Sequence, residues 1–163
     1  MKNYLAALVA AALIPFTSAL TSPARSEEPN RQVFENGLVR TKSAYSFSVT
    51  IDRLKQDVAS KGIMLFLSVD QSRLAAEAGI TLRPSTLLVF GNPALGTQFI
   101  TSNANAGIDW PVRLLVLEDE KGDVWTVYND FLSIAHRHGI SDRDAAFSKA
   151  SEVISSITSS VSK

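Results

Sequence analysis

The chain has no cysteine. That absence excludes disulfide staples, thiolate metal sites and thiol redox or nucleophilic chemistry, so the fold must be held by packing alone. Histidine is scarce, at two residues. Charge of one sign is lacking too: 16 basic and 16 acidic residues balance and are mixed along the chain. Nucleic-acid binders concentrate a basic excess, so the sequence argues against that partner. No G-x-S-x-G context surrounds any serine, which leaves a serine nucleophile unsupported. After the first 20 residues no further apolar run is long enough to span a bilayer.

What is present begins at the N-terminus. Lys2 and Asn3 lead into YLAALVAAALIPF, thirteen uncharged residues, followed by small and polar residues and then Arg25. A positive start, an apolar core of this length and a small-residue exit read as a secretory signal peptide over residues 1–26. Cleavage after Ala19 or after Ser26 fits the pattern, and the second leaves the acidic pair Glu27 and Glu28 at the mature start. The expectation is export to a bacterial periplasm and a mature chain without a membrane span. Losing Lys2 and Arg25 with the leader leaves 14 basic against 16 acidic residues, a formal charge near minus two.

Residues 27–37 read as a flexible lead-in, and 38–49 as a half-buried strand. Thr50 is a candidate cap for a helix whose apolar stripe is Ile51, Leu54 and Val58, and Gly62 ends it. IMLFLSV, 63–69, is apolar and short, which predicts a central strand. Asp70 or Ser72 starts a second helix. STLLVF, 85–90, predicts another buried strand, with a turn at Gly91-Asn92-Pro93 and a short helix over 97–103. VRLLVLED and VWTVY predict a hairpin around Gly122. Phe131 to His138 reads as a short helix, and Ser141 as the start of a last one with a frayed tail. The fold class is therefore α+β: a mainly antiparallel sheet of about five strands with helices packed on one face. Residues 38–140 form the domain, and 141–163 a C-terminal helix and tail.

The segments LFLSVDQSRLAAEAGITLRPSTLLVFGNPALGT, IDWPVRLLVLEDEKGDVWTVYND and LSIAHRHGI resemble domain-of-unknown-function family 302 over about residues 38–140. The marks are FGNP, a following Gly-Thr, an Asp-x-Pro and a late Gly-x-Val-x-x-x-Tyr. The resemblance implies an α+β domain with no established activity, often exported in bacteria, alone or joined to other domains. It also implies that the family's common Asp-His is replaced here by Asp70-Gln71.

Gly91 and Gly96 have the spacing of a phosphate loop, but Thr97 stands at the lysine position and Pro93 has no amide hydrogen. A tight turn leaving a strand is the simpler reading, with the amides near Gly96 and Thr97 as a small-anion alternative. His136 and His138 invite a metal, with Asp130 or Asp142 as further ligands. Positions two apart do not share a helix face, so they converge only if the helix has ended at Gly139. Asp109, Trp110 and Arg113 could line a pocket; equally, Trp110 could cover a sheet edge while Asp109 pairs with a loop amide or Arg113. Asp70, Asn92 and Asp130 follow strand ends, near Tyr128, and could share one rim. Asp119 and Glu120 read as solvated turn residues. The reading is a non-catalytic periplasmic module that needs no cofactor and binds a small ligand, another periplasmic protein or a second copy as a homodimer. The alternative is a metal-assisted enzyme using the late histidines and a neighbouring carboxylate.

Overall fold

The computed structural model describes residues 30–162; the expected signal peptide and the first three residues of the lead-in, 27–29, lie outside them. Six strands form one sheet: β1 (Arg31–Val33), β2 (Leu38–Lys42), β3 (Met64–Asp70), β4 (Ser85–Gly91), β5 (Val112–Glu118) and β6 (Val124–Asn129). Their order is β1-β2-β6-β5-β4-β3 and every pairing is antiparallel. The helices are α1 (Phe47–Ser60), α2 (Gln71–Glu77), α3 (Pro93–Ser102), α4 (Phe131–Arg137) and α5 (Asp144–Ser159), with a short 3-10 helix at Ala104–Ile108. The α+β class stands, with a sixth strand, β1, inside what reads as lead-in.

Alternation along the strands decides which face is covered. Leu88 and Phe90 on β4, Leu114 and Val116 on β5, and Val124 and Tyr128 on β6 are buried, and the register places them on one face. Leu54 and Val58 of α1, Phe99 of α3, Phe131 and Ile134 of α4, and Phe147, Ile154 and Ile157 of α5 complete that core. Phe99 and Phe147 stack at 4.2 Å between centroids. The intervening residues, Leu87, Val89, Leu115, Leu117 and Val127, are half-buried on the other face.

Several expectations are corrected. The strand expected over 38–49 stops at Lys42, because helix α1 already begins at Phe47. Thr50 therefore lies inside α1 and caps nothing; its hydroxyl is buried, 2.7 Å from Ser43 Oγ, and donates to the Ser46 carbonyl at 2.9 Å. Segment 63–69 forms an edge strand, since β3 pairs only with β4. Asn92 starts α3 early: its Oδ1 accepts from the Leu95 amide at 3.3 Å, and Pro93 occupies the first turn, where a missing N–H costs nothing. The last helix begins at Asp144, with no side-chain cap from Ser141. The tail is packed instead of frayed: Ile157 and Val161 are fully buried, and the Ala44 amide donates to the Val161 carbonyl at 2.8 Å. Gly62 does end α1, with φ of 65°.

Candidate functional site

The loop between α3 and β5 brings Trp110 back over the end of β4. A Cβ on Gly91 would lie 3.1 Å from the indole Nε1, and a Cβ on Gly96 only 1.7 Å from it. The two glycines are thus small because an indole lies on them. The Gly96 amide is already used, donating to the Asn92 carbonyl at 2.9 Å, and the Thr97 hydroxyl donates to the Pro93 carbonyl at 2.7 Å. Gly96 is the fourth residue of α3, which removes the helix-start setting expected for an anion there.

Beside the indole lies a cavity of about 720 Å³. Its apolar walls come from Phe90, Leu95, Phe99, Val153 and Ile154, and Asn92, Gln98, Lys61 and the Lys149–Glu152 pair supply polar groups. Phe66 of β3 meets Trp110 edge-on, with centroids 6.1 Å apart. Size and lining match those of sites that hold small organic ligands: mostly apolar, with a few polar groups to orient the guest.

Asp109 precedes the indole and organises a second cluster. Its carboxylate accepts from Arg137 at 2.9 and 3.0 Å and from Arg113 at 3.1 Å, and lies 2.7 Å from His138 Nε2. Burial would raise the Asp109 pKa, but the bond to His138 and the charge and bonds of Arg137 hold it below its ordinary value of 3.8. Of the two pairings expected for Asp109, the one with Arg113 is present. Arg137 and His138 were not expected partners: they lie 28 and 29 residues further along, and no local pattern links them to it.

The expected rim is divided by sheet topology. Asp70 ends β3 and caps α2, accepting from the Arg73 amide at 2.9 Å. Because β3 and β4 are antiparallel, Asp70 lies opposite Thr86 at the start of β4, whereas Asn92 follows the end of β4. Asn92, Asp109 and Asp130 share the other end of the sheet. Asp130 caps α4 through the Ser133 amide at 3.1 Å and, with the buried Tyr128, lines a separate cavity of about 360 Å³. Of the expected residues, Asn92, Gly96 and Trp110 therefore meet in the main cavity, with Asp109 and Arg113 adjoining it.

The histidines do not converge. His136 is exposed in the last turn of α4, while His138 is turned onto Asp109. Asp142, the other candidate ligand, accepts from Ser102 and Arg143. No group of three or more histidine or carboxylate side chains is placed to hold a metal ion among the described residues. Asp119 is also not a bare turn residue: it accepts from the Lys121 and Asp123 amides, from Trp125 Nε1 at 2.8 Å and from Arg40 at 3.2 Å.

The fold resembles a solved structure, that of an uncharacterised conserved protein DUF302 from Bacillus stearothermophilus, with a TM-score of 0.70 at 13% identity. The likeness covers 77% of this chain and 98% of that one. In sequence, the chain is 38% identical over 112 residues to a protein of Brucella suis named "Fluoride-specific ion channel FluC 1" and to its namesake in Brucella abortus. Those matches take in 69% of this chain but only 44% and 42% of the relatives, so the chain spans less than half of their length. No helix among the described residues is long and apolar enough to cross a membrane. The family described as "Domain of unknown function DUF302" matches residues 39–159, from the second strand through the last helix, and the chain belongs to that family.

Proposed function

We propose that this protein is an exported, non-catalytic binding module that receives a small, largely apolar ligand in the cavity beside Trp110. The observation that carries the reading is the cavity itself: about 720 Å³ with apolar walls, and an indole seated on two glycines. Asn92 and Gln98 in its lining offer hydrogen bonds to a guest, and because Lys61 is paired with Asp57 and Lys149 with Glu152, the lining favours a guest without a full charge. Asp109 positions the indole's neighbours by tying Arg113, Arg137 and His138 to the loop that carries Trp110. The leader pattern of residues 1–26 supports a periplasmic location.

Native mass spectrometry of untagged protein recovered from the periplasm tests the reading, with 1-anilinonaphthalene-8-sulfonate as a solution probe. The expected result is one carried or added small molecule per chain, lost in Trp110→Ala. Bare chains that take up no probe, or uptake undiminished in that variant, overturn it. Sequencing of the N-terminus checks export: it should begin at Glu27 or, for the earlier cleavage, at Leu20.

A further inference from the structure

The strand that reads as central lies at the sheet edge, yet it keeps the composition of a strand buried on both sides. From Met64 to Val69 it has no charge and no proline, and Met64, Leu65, Phe66 and Leu67 are 54%, 38%, 42% and 55% exposed. Native sheets blunt their edges with lysine, proline or covering elements, because an apolar edge with free backbone groups recruits another chain. A bulge between Leu65 and Leu67 turns Phe66 onto Trp110 and leaves Leu67–Asp70 as the straight part of the edge. From that edge an apolar row runs across the uncovered face: Val69 lies beside Leu87, Leu87 beside Leu115, and Leu115 beside Val127. The segment after β3 adds Leu74, Ile80 and Leu82, all exposed.

We propose that a second copy of this chain covers this surface, the two β3 strands running antiparallel across a two-fold axis so that the sheets join edge to edge. Four observations select a copy over other occupants. Its one charged residue, Asp70, stands at the strand's end, so a two-fold pairing sets the two carboxylates at opposite ends. Self-pairing is isologous and closes at two chains. The other sheet edge is the three-residue β1, too short to offer a matching surface for head-to-tail growth. The described residues begin at Asn30, next to β1, five strand spacings or about 24 Å from β3. The seven exposed side chains amount to roughly 600 Å², close to the roughly 800 Å² that each partner buries in a standard interface.

The lack of cysteine makes the test direct. Of Leu67→Cys, Ser68→Cys and Val69→Cys, the one nearest the two-fold axis should form a disulfide-linked dimer under mild oxidation, and Thr101→Cys, exposed on α3, should not. Size-exclusion chromatography with light scattering should give twice the chain mass for the unmodified protein. Leu67→Lys, at a side chain that contributes no core packing, should weaken association on the order of 100-fold while keeping the native circular dichroism spectrum. An unmodified protein that stays monomeric overturns the proposal. So does a dimer that none of Leu67→Cys, Ser68→Cys and Val69→Cys cross-links, since an antiparallel self-pairing of the straight edge brings one of these positions opposite itself. Neither outcome depends on whether the cavity binds a ligand.

Discussion

At the scale of single residues, Gly96 sets two effects against each other. Alanine in a helix interior is favoured over glycine by about 1 kcal/mol. Here its Cβ would fall 1.7 Å from the Trp110 indole, so the ring must leave its seat, and overpacking costs about 1–3 kcal/mol. Gly96→Ala should therefore destabilise, and in a Trp125→Phe background the remaining indole emission should shift to the red. Asp109 is the second such residue. Its folded pKa lies below 3.8, so its contribution to stability is fully present above that value and is lost as pH falls through the depressed one. Asp109→Asn should cost about 2–3 kcal/mol at neutral pH, the scale of charge-assisted bonds, and chemical denaturation across pH should show a shallower fall on the acid side. Asp109 and Trp110 were legible as site candidates because a carboxylate, an indole and a guanidinium crowd one short segment. Arg137 and His138 were not, because their approach depends on α4 packing against that loop.

Among the elements, the ends differ most from expectation. Thr50 stands where an apolar stripe begins, which makes it a plausible cap by pattern, but the three-way contact with Ser43 and Ser46 draws it into the interior. The C-terminal SSITSSVSK is polar on average, which hides Ile157 and Val161 as core residues. Val161→Ala should cost about 2 kcal/mol, against less than about 0.5 for Val49→Ala on the exposed side of α1, as read by urea denaturation. A strand's hydrophobicity reports how much of it is covered, never by which molecule. That is why β3 reads as central although the monomer leaves it at the edge.

For the whole molecule, the cavity and the β3 edge meet at Phe66 against Trp110, so assembly and ligand binding bear on neighbouring side chains. If two chains associate through β3, the melting temperature should rise with protein concentration, and that dependence should vanish in Leu67→Lys. A ligand that binds only the folded state should add about 2.7 kcal/mol at a hundred times its dissociation constant, a stabilisation that Trp110→Ala removes. Scanning calorimetry over a concentration series separates the two effects.

The sequence by itself determined the α+β class, the order of most elements and the family, because apolar periodicity, turn glycines and local motifs act within a few residues of the chain. Only the tertiary structure decided which strand is the edge, which carboxylates share an end of the sheet, and what Asp109 holds. Strand order and antiparallel direction bring together residues far apart in sequence, and no local pattern carries that information: the two apolar runs of β3 and β4 look alike, and only pairing makes one an edge and the other an interior strand.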